Sequence, residues 1–323
     1  MHLPRPLVVG LSGPLFRLTL NDKVPVSFQR GFGSASALLF APPAGTQVEQ
    51  ITLGGRPAER ISVGASERPR AVLYLHGGGY VMGTARMYRA MAAHLARTAG
   101  AVVYTLDYRL APEHVYPAAV DDAEAAFVEL VEVLGYPPER IAIAGDSAGG
   151  GLTVATARRL LDAGTRPGPL VLLSPWTDPA DTDLPARDFV LTRAWGHQCA
   201  EQYRGDADPT DPGYAPMWAR LDDLPPILVH YGAKEALREQ IRRFVARAEA
   251  AGADIRAVEL PTLWHSGHLQ AGMLREATDA VRDIGLWLRP RLDSPRLDSS
   301  SVDSPRLASP RLGDGVDARL SSP

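Results

Sequence analysis

The stretch Ile141–Gly151, IAIAGDSAGGG, constrains this chain more than any other. A run of isoleucines and alanines, suited to a buried strand, ends in Gly145-Asp146-Ser147-Ala148-Gly149, and a helix-forming stretch from Leu152 to Leu161 follows. A strand that turns this sharply into a helix puts the central residue of the turn on a strained backbone, and glycines are needed where strand and helix approach it. The central residue here is a serine. Its hydroxyl is lifted clear of the sheet at a helix N-terminus, where backbone N–H groups can receive negative charge. The bare G-x-S-x-G pattern also arises by chance in glycine-rich turns; the strand before it and the helix after it make this one the setting of a nucleophilic serine. Such a serine requires a base, an acid to orient the base, and further oxyanion donors.

Short apolar runs spaced by helical stretches set the frame for those partners. Two alternating segments, VEQITL from Val48 and AERISV to Val63, are joined by Gly54-Gly55 and read as a hairpin. Six more runs follow: Ala71–Leu75, Ala101–Leu106, Ile141–Ala144, Leu170–Leu173, Ile227–Tyr231 and Ile255–Leu260. Helices are predicted near Met87–Thr98, Ala118–Leu134, Leu152–Asp162, Ala236–Ala251 and Met273–Leu288. Buried runs alternating with amphipathic helices mean a largely parallel sheet covered on both faces, so the expected architecture is an α/β fold of eight strands led by an antiparallel hairpin. The expected organisation is a cap or lid over residues 1–47, a catalytic domain over 48–288, and an insertion at 177–224, rich in Asp and Pro, that helps to form a cap. Residues 289–323 repeat Pro-Arg-Leu, with six arginines nearly balanced by five aspartates and no aromatic residue. Such a segment cannot bury enough apolar surface to offset its ordering entropy, and it is predicted to be disordered.

Composition narrows the partners. A net charge of −3 with no basic block argues against nucleic acid or an anionic membrane as a main partner. No apolar run reaches the length of about 18 residues that a membrane helix needs, so no stable membrane insertion is expected. The stretch Leu7–Phe16 resembles the apolar part of a secretory leader, but Gly13 and Pro14 break it and no small-residue cleavage site follows at the right distance. With Cys199 as the single cysteine, no intrachain disulfide can form, which suits the cytoplasm. That cysteine reads as a packed small hydrophobe. The composition allows a homodimer and does not specify one.

Directly after the Ala71–Leu75 run stands His76-Gly77-Gly78-Gly79-Tyr80. Two or three amides must point at one oxygen, and glycines let the chain turn tightly enough to do so. The expected donors are Gly77, Gly78 and Ala148, with His76 pinning the loop. A dinucleotide fingerprint fails here, because the third glycine is Gly83 and no acidic residue follows at the required distance. In the chain order Ser…Asp/Glu…His, the acid belongs after the Ile227–Tyr231 run, where Glu235 stands, and the base belongs after Ile255–Leu260. Two histidines compete there. His265 follows the strand by a short loop and is preferred over His268 as the base. H-x-x-H without the H-E-x-x-H pattern does not read as a metal site, and neither a metal nor a cofactor is expected. Asp107, Arg109 and Glu113 are expected to brace the oxyanion loop. Tyr80, Met82, Phe189, Trp195, Tyr214, Met217 and Trp218 are candidates for an apolar acyl or alcohol pocket.

HGGGY at 76–80, DYRLAPEHVYPAAVDD at 107–122 and GDSAGGG at 145–151, supported by SPWTD at 174–178, LPPILVHYG at 224–232 and MLREA at 273–277, resemble the hormone-sensitive-lipase family of bacterial esterases, an α/β-hydrolase group. The resemblance spans roughly Val48–Leu288. It implies Ser147 as nucleophile, Glu235 at the acid position, His265 as base, an N-terminal helical cap and no cofactor. The chain departs from the family pattern at Glu239, where an aspartate is more usual, and at Ser266, where a large apolar residue usually follows the base. The Pro-Arg-Leu tail is not a family feature. The resulting expectation is a serine carboxylesterase acting on small-molecule esters of short to medium acyl length. A lactonase or a deacetylase of a secondary metabolite would use the same machinery. A non-catalytic small-molecule receptor, as the gibberellin receptors are, would lack the base that this chain retains.

Overall fold

Alternate residues along the central strands face two different helix layers. Val72, Tyr74, Val103, Ala142, Ala144, Val171 and Leu173 pack into one apolar cluster, while Leu73, Leu75, Val102, Tyr104, Ile141, Ile143, Leu170 and Leu172 pack into another. Both faces are buried, which is why these strands read as continuous apolar runs. The structure, a computed structural model, describes residues 2–36, 40–64, 69–181 and 183–293.

The strands are β1 (Thr46–Leu53), β2 (Arg56–Val63), β3 (Ala71–Leu75), β4 (Val102–Leu106), β5 (Ile141–Asp146), β6 (Leu170–Leu173), β7 (Ile227–Gly232) and β8 (Ile255–Leu260). They form one sheet in the order β1-β2-β4-β3-β5-β6-β7-β8. β1 and β2 pair antiparallel, β2 pairs antiparallel with β4, and every later pairing is parallel. In register, Leu75 stands beside Gly145 and Asp146 beside Leu173. The carboxyl ends of β3 and β5 therefore open at one edge, the usual place for a site in a parallel sheet.

The helices are α1 (Arg5–Thr19), α2 (Val26–Ser36), α3 (Ala85–Ala99), α4 (Ala118–Glu132), α5 (Ala148–Asp162), α6 (Arg193–Arg204), α7 (Arg238–Ala250) and α8 (Arg275–Asp293). α3 and α8 cover the face of Val72 and Tyr74, whereas α4, α5 and α7 cover the other. The chain belongs to the fold class its pattern predicts, an α/β sandwich with antiparallel leading strands.

Two features differ from the sequence reading. The apolar stretch Leu7–Phe16, read as broken by Gly13 and Pro14, lies within one helix, α1, with Pro14 inside it. A proline ring clashes with the carbonyl four residues back and removes one hydrogen bond. At α1 that carbonyl belongs to Gly10, and both Gly10 and Pro14 are exposed, so water can take the bond that the proline removes and the helix continues. At the other end, α8 runs past Leu288 and through Pro290 to Asp293. Leu292 is fully buried, the Arg291 guanidinium lies 4.2 Å over the Trp287 ring, and Arg70 pairs with Asp293 at 2.5 Å. The catalytic layer thus reaches into the segment predicted to be disordered; residues 294–323 of that segment lie outside the described residues. Among the described residues no helix is long and apolar enough to cross a membrane.

Candidate active site

Ser147 sits between β5 and α5 with φ 51° and ψ −120°, a conformation that L-residues rarely adopt. Backbone approach on both sides fixes this turn. A Cβ on Gly149 would come within 2.0 Å of the Leu75 carbonyl oxygen, and one on Gly145 within 2.2 Å of the Gly149 oxygen. The flanking glycines are therefore a packing requirement, and α5 begins at Ala148, four residues before the stretch its propensity suggested. The Ser147 amide donates to the Leu173 carbonyl at 2.9 Å, which ties the turn to β6.

His265, in the loop after β8, places Nε2 2.9 Å from Ser147 Oγ. Its other ring nitrogen, Nδ1, is 3.9 Å from Glu235 Oε2. Glu235 follows β7; its Oε2 accepts hydrogen bonds from Ser174 Oγ at 2.7 Å and from the Gly232 amide at 3.1 Å. His265 Nδ1 and Glu235 Oε1 are both buried and have no hydrogen-bond partner among the described residues. Burial pushes the His265 imidazole down to about 4, with Asp188 pulling weakly the other way, so the ring is neutral and able to accept a proton at neutral pH. Burial pushes the Glu235 carboxyl up to about 8 against the bonds from Ser174 and Gly232. His268 turns away: its Nε2 is 3.4 Å from Nδ1 of His230 on β7. The structure thus joins Ser147 to His265 and sets Glu235 behind it.

The glycine loop requires a correction. The Gly77 amide is expected from the sequence to be an oxyanion donor, but it donates to Asp146 Oδ1 at 2.8 Å and lies 3.0 Å from the Tyr88 hydroxyl. A donor already spent on a buried carboxylate cannot also stabilise an oxyanion. The amides of Gly78, Gly79 and Ala148 make no hydrogen bond among the described residues, and Gly79 shares a pocket wall with Ser147. His76 pins the loop as expected: its Nδ1 lies 2.8 Å from the Gly77 carbonyl oxygen, its ring stacks on Tyr108 at 4.3 Å, and the Tyr108 hydroxyl donates to its carbonyl at 2.6 Å. Of the charges expected to brace this loop, Glu113 reaches it through Arg30 of α2, whose Nε donates to the Val81 carbonyl. Asp107 accepts from the Ala85 amide at the start of α3, and Arg109 is bound to Asp122 of α4 instead.

A cavity of about 400 Å³ opens beside Ser147 and His265. Its walls come from α1 and α2 (Leu11, Leu15, Phe16, Phe32), the oxyanion loop (Gly78, Met82) and the segment around the base (Trp264, Met273). A second recess of about 20 Å³ lies against Ser147 and is bounded by Gly79, Trp176, Leu184 and Trp195. Of the residues predicted to line the pocket, Met82 and Trp195 do so. The others do not. Tyr80 and Tyr214 stack on Tyr203, at 3.7 and 5.8 Å, as core. Phe189 packs behind the wall on Phe16 and Trp264, Met217 is buried in a short 3₁₀ turn, and Trp218 is half exposed beneath Arg247. The α1 residues were missed because the apolar run Leu7–Phe16, their only signal, looks equally like a leader segment.

Comparison with known proteins gives the family. Residues 72–269 match the family model described as the alpha/beta hydrolase fold. The chain is 38% identical over 267 residues to an acetyl-hydrolase of Streptomyces hygroscopicus, covering 81% of this chain and 86% of that protein. It is 31% identical over 281 residues to the carboxylesterase/phospholipase LipF of Mycobacterium tuberculosis, covering 82% and 75%. A crystal structure of an esterase from the bacterial hormone-sensitive lipase family superposes with a TM-score of 0.83 at 34% identity, over 90% of this chain and all of that one. The chain belongs to the alpha/beta hydrolase fold family and, within it, to the hormone-sensitive-lipase group of bacterial esterases.

Proposed function

We propose that this chain, a carboxylic ester hydrolase by family, is a serine carboxylesterase acting on small esters with short to medium acyl chains. The observation that carries the reading is the 2.9 Å contact between Ser147 Oγ and a buried, neutral His265, below three uncommitted amides and beside an apolar cavity. In this reading His265 Nε2 takes the serine proton as Oγ attacks the ester carbonyl. As the ring takes that proton, its positive charge draws the neighbouring Glu235 carboxyl back down into its ionised form, and the carboxylate then orients and stabilises the imidazolium. The amides of Gly78, Gly79 and Ala148 receive the oxyanion, and losing one such donor costs about 10²–10³ in rate. His265 then gives its proton to the leaving alcohol, and water repeats the sequence on the acyl-enzyme.

A cavity of about 400 Å³ lies in the range of roughly 300–1,000 Å³ typical of small-molecule sites. The cap helices close over it, which favours acyl groups of limited length. The single buried thiol of Cys199 suits a reducing compartment, and we place the enzyme in the cytoplasm.

Purified Ser147→Ala is expected to lose p-nitrophenyl butyrate hydrolysis, and retained turnover would refute the nucleophile. A kcat/KM series from acetate to decanoate is expected to peak at short or medium length; a preference for emulsified long-chain lipid would refute the substrate range.

A further inference from the structure

A second chain of hydrogen bonds runs behind the reacting groups, and the proposed hydrolysis does not use it. Its pivot is Ser266, the residue directly after His265. Ser266 Oγ donates to Asp146 Oδ2 at 2.7 Å. The Ser266 amide donates to Ser174 Oγ at 3.2 Å, and Ser174 Oγ in turn donates to Glu235 Oε2 at 2.7 Å. The route therefore leads from the nucleophile turn, through the base loop, to the acid, parallel to the Ser147–His265–Glu235 line.

Three features indicate that this route does more than fill space. Asp146 is fully buried, and its carboxylate also accepts from the Gly77 amide at 2.8 Å and from the hydroxyls of Tyr74 and Tyr88 at 3.1 and 3.2 Å. One carboxylate thus holds the oxyanion loop, the nucleophile turn and the base loop together. Ser174 and Ser266 both have left-handed backbones, with φ 47° and 52°, a strain that persists only where the surroundings enforce it. His265 makes no hydrogen bond through Nδ1 among the described residues, so the loop that carries it has a share in placing its ring.

We propose that Ser266 is a positioning residue: its hydroxyl, anchored on Asp146, and its amide, anchored on Ser174, set the His265 imidazole against Ser147. This rests on the reading of His265 as the base. It does not make Ser266 a group that touches the reacting atoms.

Two substitutions separate the hydroxyl from the backbone bend. Ser266→Gly relaxes the left-handed conformation but removes the hydroxyl. Ser266→Asn tolerates that conformation and keeps a donor that can reach Asp146. If the hydroxyl positions the base, Ser266→Gly lowers kcat for p-nitrophenyl butyrate by about tenfold or more with KM within twofold, and Ser266→Asn recovers most of that loss. Because Gly eases backbone strain, the thermal midpoint of Ser266→Gly is expected to stay close to that of the parent. Ser174→Ala, which unties the amide end, is the second variant and is expected to show the same split between kcat and KM. A Ser266→Gly enzyme with parental kcat overturns the proposal, since the residue then serves only the bend. That outcome leaves the esterase reading standing. Retained activity in Ser147→Ala removes the reading itself.

Discussion

Arg30 of α2 joins the cap to the oxyanion loop, and the cost of removing it follows from its contacts. Nε donates to the Val81 carbonyl at 2.7 Å, Nη2 to the Ala111 carbonyl at 2.8 Å, and the guanidinium forks onto Glu113 at 2.9 and 2.7 Å. Val81 and Ala111 are fully buried, and the turn from Gly78 to Met82 hangs between them through bonds from Val81 and Met82 to Gly78 and from Ala111 to Tyr80. Hydrogen bonds to a charged group are worth about 1.5–3 kcal/mol each. The Glu113 carboxyl is half exposed, which limits that pair to about 0–1 kcal/mol. Arg30→Met is therefore expected to cost about 3 kcal/mol, a fall of roughly 6 °C or more in the thermal midpoint. It is also expected to lower kcat/KM by tenfold or more, since the loop that carries Gly78 and Gly79 loosens. Glu113→Gln keeps both carbonyl bonds and is expected to cost under about 1 kcal/mol. The hydrogen bond from Arg30 holds the Glu113 carboxyl down to about 2. Its small increment is accordingly present above the ordinary glutamate range and fades as pH falls toward that value. Scanning calorimetry and steady-state kinetics on the two variants test this. Equal losses for both, or an unchanged midpoint in Arg30→Met, would show that the two carbonyls do not depend on the guanidinium.

Burial holds the His265 imidazole near 4, and the base must be neutral to act, so the acid limb of kcat/KM is expected well below the ordinary histidine value of about 6.5; a limb centred there or higher contradicts this burial effect. Gly149→Ala forces a Cβ to within 2.0 Å of the Leu75 carbonyl and is expected to abolish folding, while Gly31→Ala, in open space on α2, should raise stability by up to about 1 kcal/mol; denaturant titration of both separates crowding from helix propensity. Burial pushes the Cys199 thiol up, and the side chain packs against Gly79, so iodoacetamide is expected to leave the native enzyme unmodified while labelling it in urea, as intact mass would report.

The central strands β3 to β7 were legible because the sheet is buried on both faces there, which writes each as a nearly unbroken apolar run, whereas β1 and β2 were legible from their alternation around Gly54-Gly55. The nucleophile turn was legible because close backbone approach excludes side chains at Gly145 and Gly149. The helix α1 was not. A proline inside an apolar run reads as a break unless its position is known to face solvent, where water can take the bond it removes. Which amides face the oxyanion was also hidden, since Gly77, Gly78 and Gly79 are identical in type. Only the position of the Asp146 carboxylate decides that Gly77 is spent. Tyr80 and Tyr214 misled as pocket residues because an aromatic near the site looks the same in sequence whether it faces substrate or stacks on Tyr203. Trp195 was found because α6 happens to turn it toward Gln29 and the cavity, at 2.9 Å from Nε1 to the Gln29 side-chain oxygen.

The central claim is that the hydroxyl of residue 147 is activated by the imidazole of residue 265. Incubation with a fluorophosphonate, followed by peptide mass mapping, tests it most directly. The expected result is a single adduct on the peptide containing Gly145-Asp146-Ser147, formed rapidly in the parent and at least a hundredfold more slowly in His265→Ala. An adduct on a different residue, or labelling of His265→Ala at the parental rate, would contradict it.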